Sequence, residues 1–452
     1  MLRYYLPLLI YLISFPVMIM TFKRVHVGLL FFIFIVPIIV LMKKLVVFPM
    51  GNNIADFLVF SMLLGWFLKA KRENKKIFER SSVNIAVILT ILGSILSLIV
   101  GLTFTAFPSD INSLRLAAWK NYMILPLLYF ISINTIDNEK TVKWILISVC
   151  LALIAMDINF YSTFRLLKGE HYSDAMRTSG PFGFLGPNEL GIFFSMYTFL
   201  LLGISYFIDN KKLKYFLLFV CACNIYPILY SYSRSAYMCV LAGLLTIGLL
   251  KDRKLLILPI VLVLLYSYVL PNSVVERIDM TFLDKREISE QQEYGSAFNV
   301  GDVTVEVIGR KQLWEKARNY FEENFLLGIG FETFHYLENS ITHSMYYNIL
   351  AEQGLVGMTI FLVFIAIVLP KAYKLFRYSE NKLGKGIGLG FLACVIVHLV
   401  GSVAGETYLY YNMMAIYWLF LGIVASFNIH FISNKNQEVL PQGKTLSSSA
   451  MK

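Results

Sequence analysis

The sequence predicts an all-α integral membrane protein, a bundle of about 12–14 transmembrane helices with one large, partly helical extracytoplasmic loop. Three observations lead there. Hydrophobic residues make up 57% of the 452 residues and charged residues only 15%, with mean hydropathy +0.65. A water-exposed domain carries about 25% charged residues, so the apolar excess must face lipid. Apolar runs repeatedly reach the roughly 20 residues that cross a hydrocarbon core. Short basic clusters separate these runs, as the positive-inside rule requires.

Spans are expected near 4–20, 26–42, 54–69, 83–103, 116–134, 143–162, 188–208, 213–230, 235–250, 255–270, 345–369, 386–403 and 408–427. The first run lacks a small-residue cleavage site and reads as a span rather than a signal peptide. Lys69, Lys71, Arg72, Lys75, Lys76 and Arg80 form the strongest basic loop and orient the chain. Counting forward, the loops with Lys211, Lys212 and Lys214, with Lys251, Arg253 and Lys254, and from Lys371 to Lys385 all fall on the same, cytoplasmic side. Thirteen spans put the N-terminus outside, and a re-entrant segment within 1–50 puts it inside. Four regions result: an N-terminal transmembrane bundle at 1–270, the outer loop at 271–342, C-terminal transmembrane helices at 343–434, and a cytoplasmic tail at 435–452 whose polar composition predicts disorder.

The net charge of +11 does not indicate a nucleic-acid partner, because the basic residues sit between spans and the bilayer is the surface they meet. Cys150, Cys221, Cys223, Cys239 and Cys394 lie in or near apolar spans, which argues against both a disulfide framework and a metal knuckle. The loop at 271–342 is net acidic, with 13 Asp/Glu and 7 Lys/Arg. Its length points to a functional role. Leu313, Ala317 and Tyr320–Phe321 recur at helical spacing from Arg310 to Asn324.

Three polar constellations map to the outer face. Ser231-Tyr232-Ser233-Arg234-Ser235-Ala236 ends a span. An arginine there is either functional or a snorkelling side chain on lipid phosphate. Gly309-Arg310-Lys311-Gln312-Leu313-Trp314 opens the amphipathic helix and is followed by Leu327-Gly328-Ile329-Gly330-Phe331-Glu332-Thr333-Phe334. By themselves these are also what a solvated loop and an ordinary glycine turn look like. His343-Ser344 precedes Gly354-Leu355-Val356-Gly357 by nine residues. His343 is read as opening a helix, with Tyr347, Leu350 and Gly354 on its face. A helix N-terminus disfavours imidazolium, which suits a proton acceptor, and a capping histidine is the simpler alternative. Asp157, Glu189, Glu352 and Glu406 lie in or near spans, where carboxylates are functional candidates. Hydrogen bonding between helices is the expected role of Asp157 and Glu406.

The His-Ser-x9-Gly-x-x-Gly pattern, Ser-Arg-Ser-Ala after a span, Gly-Arg-x-x-Leu-Trp before Gly-Ile-Gly-x-x-x-Phe, and Gly186-Pro187-Asn188 together resemble the O-antigen ligase and O-antigen polymerase superfamily. The resemblance is concentrated in 180–430. It implies a membrane glycosyltransferase of the bacterial inner membrane, with its site on the extracytoplasmic face, that moves a glycan from undecaprenyl diphosphate to an acceptor hydroxyl in surface polysaccharide assembly. The acceptor would be a second lipid-linked glycan for a polymerase or a lipid A core for a ligase. A polysaccharide chain-length regulator is a further candidate partner. The resemblance makes His343 the general base, Arg234, Arg310 and Arg177 the diphosphate ligands, and Asn188, Glu332 and Tyr347 substrate-binding residues. Direct displacement would invert the anomeric carbon without a metal or other cofactor. The competing class is a lipid-linked oligosaccharide flippase or other polysaccharide transporter. Such a protein would show two related halves and a mid-membrane site.

Overall fold

The computed structural model describes residues 2–42, 54–103, 109–165, 169, 171–182, 186–280, 297–300, 303–306 and 310–432. The expected tail at 435–452 lies outside them, as does much of the first half of the outer loop. The helices in chain order are α1 (Leu2–Lys23), α2 (Val25–Ile35), α3 (Ile54–Arg72), α4 (Ser82–Thr103), α5 (Ser109–Thr135), α6 (Glu139–Phe164), α7 (Pro187–Ser205), α8 (Lys211–Tyr230) and α9 (Arg234–Leu250). After them come α10 (Ile257–Leu264), α11 (Tyr266–Val269), α12 (Asn272–Asp279), α13 (Arg310–Glu323), α14 (Thr333–Glu338), α15 (Met345–Tyr378), α16 (Lys382–Gly401) and α17 (Tyr411–Ile432). A short antiparallel hairpin, β1 (Ala297–Val300) and β2 (Val303–Glu306), pairs Ala297 with Glu306 within the outer loop.

The chain is an all-α multi-pass membrane protein. Among the described residues eight helices are long and apolar enough to cross a bilayer: α4, α5 from Leu114, α6, α7, α8, α15, α16 and α17. Shorter apolar helices run over Leu8–Lys23, Val25–Ile39 and Arg234–Leu250. The span expected at 255–270 is not one helix. A 3₁₀ turn at Arg253–Leu256 leads into α10, and Leu265, at φ −121° and ψ 19°, separates α10 from α11. Eight residues rise only about 12 Å, too little to cross.

Helices α7, α16 and α17 form the centre and are buried on nearly every side. Hydrocarbon offers helices little reason to associate beyond close packing, so small residues mark the seam. A Cβ on Gly203 of α7 would stand 2.4 Å from the Cα of Gly390 of α16. Outer helices such as α4 and α8 leave leucines, isoleucines and aromatic rings exposed, the composition of a lipid-facing surface.

The loops sort to two ends. At one end Lys69 Nζ donates to the Thr135 carbonyl at 3.0 Å, and Lys75 pairs with Asp137 at 3.3 Å. There too Asn381 Nδ2 donates to Glu139 at 2.5 Å, Lys382 pairs with Asp209 at 2.8 Å, and Tyr206 bonds Asp252 at 3.1 Å. The basic clusters named above therefore share one end of the bundle. At the opposite end lie 171–182, 186–187, 231–234, α12, α13, 324–344 and 402–410, linked to one another by the contacts below.

Candidate functional site

A glycine-built joint organises the second end. Helix α15 breaks at Gly354 (φ 61°, ψ −158°), which strands backbone groups that a continuous helix would pair. The 325–330 loop fills the break. Ile329 and Gly330 N–H donate to the carbonyls of Ala351 and Glu352, both at 2.9 Å, while Leu355 and Val356 N–H donate to Phe325 and Leu326 at 2.9 and 3.1 Å. Gly328 also has positive φ (67°). Its added Cβ would meet the Ala351 carbonyl at 2.5 Å, and one on Gly354 would meet the Leu326 carbonyl at 2.5 Å. Only backbone without side chains can interlock this closely.

The joint carries the loop that follows. The Glu352 carboxylate accepts N–H bonds from Glu332 at 2.9 Å and Phe334 at 3.1 Å, and its carbonyl accepts from Ser97 Oγ at 3.0 Å. These bonds hold Glu332 at φ 58°, a left-handed conformation that costs energy for a residue with a Cβ. Arg115, fully buried on α5, donates to the Gly101 carbonyl at 2.5 Å and to Thr333 Oγ1 at 3.3 Å.

A cavity of about 730 Å³ opens beside this loop. It is lined by Arg177, Asn188, Arg310, Glu332 and His343 among the residues singled out above, and by Glu189, Glu352 and Glu406. His335, Ser340, Asn348 and Tyr410 add to its polar lining. Arg177 Nη2 donates to Asn188 Oδ1 at 3.0 Å, which aims the guanidinium across the N-terminus of α7. Glu189, at the third position of that helix, folds back on Gly186, where an added Cβ would lie 2.7 Å from Glu189 Oε2. Burial lowers the pKa of Arg310, opposed by Glu189 and reinforced by the charges of Arg177 and Arg277. Arginine stays protonated through shifts of this kind, so the cavity keeps its positive wall.

His343 stands in the cavity wall between Thr342 and the N-cap of α15, Ser344. It does not open the helix. It precedes the cap, with its own backbone at φ 54°, so a helix N-terminus is not what keeps it neutral. Burial and then the nearby Arg310 push its imidazole down to about 4. Its position is set from both sides. Trp314 Nε1 donates to the Thr342 carbonyl at 2.9 Å, and Glu406 accepts from Thr342 N–H at 2.6 Å and Thr342 Oγ1 at 2.5 Å. Glu406 thus ties two loops together at the cavity instead of bridging spans as expected, and burial raises its carboxyl to about 7. Asp157 does not make the expected inter-helix bond either. Neither of its oxygens has a hydrogen-bond partner among the described residues.

Two further residues sit elsewhere than expected. Tyr347 does not line the cavity. Its ring stacks on Trp314 at 5.1 Å and packs with Leu313, Ala317 and Phe334, so it docks α13 onto α15. Counting helical positions from His343 misplaces it because the helix begins two residues later. Arg234 lies outside the main cavity too. The turn between α8 and α9 holds Tyr232 at φ 50°, with its hydroxyl on Ser273 Oγ at 3.0 Å, and Ser233 caps α9 through Ala236 N–H. Arg234 then lines a separate apolar groove of about 400 Å³ with Leu229, Met238, Leu262, Val263 and Ile278. It remains within electrostatic range of Arg277, Arg310 and Arg177.

Arg277 completes a four-arginine cluster and had no motif to announce it. It rises from α12 with its guanidinium 5.1 Å from the Tyr172 ring, and Nε donates to the Tyr232 carbonyl at 3.3 Å. Only the fold brings it toward the others.

A search of curated proteins finds no match to the chain. A model of the O-antigen ligase family matches residues 216–362, a stretch that holds Arg234, Arg277, Arg310, the glycine joint, Glu332 and His343. The match covers about a third of the chain and supports the resemblance of this region to the O-antigen ligase and polymerase superfamily.

Proposed function

We propose that the chain is an inverting, metal-independent glycosyltransferase that moves a glycan from undecaprenyl diphosphate to an acceptor hydroxyl. The observation that carries this reading is the convergence of Arg177, Arg310 and His343 on one cavity. Breaking the sugar–oxygen bond leaves negative charge on the lipid diphosphate, and guanidinium groups supply planar, charge-assisted hydrogen bonds to such oxygens. His343, neutral at physiological pH, takes the proton of the attacking hydroxyl. The bound diphosphate raises the proton affinity of His343 from its low value in the free protein, because a nearby anion favours imidazolium. Arg234 and Arg277 extend the positive field toward the apolar groove, where the lipid of the donor would lie beside its headgroup. The basic loops gather at the opposite end, so the positive-inside rule supports an extracytoplasmic cavity in the bacterial inner membrane.

The test is transfer by purified full-length protein in lipid nanodiscs, supplied with the undecaprenyl-diphosphate-linked glycan that accumulates in cells lacking the gene. Expected products are a longer or acceptor-linked glycan and free undecaprenyl diphosphate, with EDTA present throughout. No release of undecaprenyl diphosphate, or release that depends on an added divalent cation, counts against the reading.

A further inference from the structure

We propose that the carboxylate end of the cavity is the acceptor subsite. It is built for a sugar that offers hydroxyl or ammonium hydrogens and carries no acid, and Glu332 and Glu189 grip it. The inference rests on the transferase reading and adds the chemical class of the acceptor.

Glu189, Glu332, Glu352 and Glu406 line one cavity. They surround Tyr410, whose phenol is pushed up first by burial and then by the field of each of the four carboxylates. Two of the four are committed. Glu352 holds the N–H groups of Glu332 and Phe334, and Glu406 holds Thr342. Of the other two, Glu189 has an oxygen to spare. Glu189 is 2% exposed, and its Oε1 has no hydrogen-bond partner among the described residues. Glu332 lines the same cavity, and the bonds of its own N–H and of Phe334 N–H to the Glu352 carboxylate hold its main chain in a left-handed conformation.

Buried acceptors are nearly always satisfied, and an unmet one is costly. Strained backbone persists where its surroundings impose it, commonly at sites that bind. Both features point to donors arriving from outside the chain. Sugar hydroxyls and amino-sugar ammonium groups are such donors, and their bonds to carboxylates are charge-assisted. A uronic or phosphorylated sugar would instead set anionic acceptor oxygens against the acceptor oxygens of Glu189 and Glu332. Glu189 also lies within electrostatic range of Arg310 and Arg177, so it marks the boundary between the two ends. An acceptor held there would present its hydroxyl toward His343 and the donor.

The test titrates methyl glucoside, methyl glucosaminide and methyl glucuronide against the full chain in nanodiscs, read by saturation-transfer NMR. The glucoside and glucosaminide should bind at least about tenfold more tightly than the glucuronide, roughly the discrimination one unfavourable contact between acceptor oxygens provides. Glu332→Gln and Glu189→Gln, which keep the side-chain shape, should each shrink that preference to about threefold or less. A glucuronide that binds as well as the glucoside overturns the proposal, as do variants with unchanged preference or no saturable binding of any glycoside. Undecaprenyl diphosphate is titrated separately against the unmodified chain. Its failure to bind would remove the donor reading while leaving the glycoside result to be judged by itself.

Discussion

Glu406 accepts both the N–H and the hydroxyl of Thr342, at 2.6 and 2.5 Å, one residue before His343. The loop after α16 thereby sets the position of the candidate base. Glu406→Ala should cost about 1–3 kcal/mol, the usual consequence of leaving buried donors unmet. Glu406→Gln keeps an acceptor oxygen and should retain most activity. Thermal melting in detergent together with transfer rate distinguishes the two, and equal behaviour of both variants would show that the clamp is dispensable.

The pH dependence follows from His343. Its imidazole is held down to about 4 by burial and Arg310, so the neutral form is present above that value and is lost as the pH falls through it. The acidic limb of kcat/KM, which reports the free enzyme, should therefore lie near 4 and not at the ordinary histidine value of about 6.5. His343→Ala should lower kcat by about 10²–10⁴-fold if it acts as the base. An acidic limb unchanged by this substitution would assign it to another group.

Donor binding should weaken by roughly tenfold to a hundredfold in Arg310→Ala or Arg177→Ala, as expected for losing a charge-assisted contact. Arg→Lys should not restore it fully, because an ammonium lacks the planar fork. Arg277→Ala should have a smaller effect, since its Nε is already given to the Tyr232 carbonyl. Calorimetric titration with undecaprenyl diphosphate measures all three, and unchanged affinity in the first two would exclude them as phosphate ligands.

Gly354→Ala should be among the most damaging small substitutions in the chain. At φ 61° and ψ −158° the residue lies in a backbone region that is essentially glycine-only, where another residue costs of order 1–3 kcal/mol. The new methyl would also sit 2.5 Å from the Leu326 carbonyl. Gly93→Ala on α4, where the nearest atom is Ile360 Cδ1 at the far end of a side chain, should be milder. Yield and melting temperature in detergent report the difference.

The spans were legible because period and length suffice to recognise them, and the basic loops gave their order. The segment at 255–270 failed this logic: it is apolar throughout, but a break at Leu265 leaves only short pieces. Within the site, Arg177, Arg310, Glu332 and His343 stood out as polar residues in order near span ends. Arg277 and the clamp on Thr342 did not, because both depend on contacts between segments far apart in the chain. Tyr347 was misread because helical counting began at a residue that precedes the helix.

The backbone splice at Gly354 has a mechanical consequence. The strand of loop that fills the gap makes two main-chain bonds to the outer stub of α15 and two to the span beyond the break, so stub, loop and span behave as one rigid strut anchored in the bilayer. The stub cannot turn without carrying Glu332 with it. Tilting of α15, whether imposed by membrane thickness or by a neighbouring protein, would reach the carboxylate wall of the cavity directly, with no flexible coupling to absorb it.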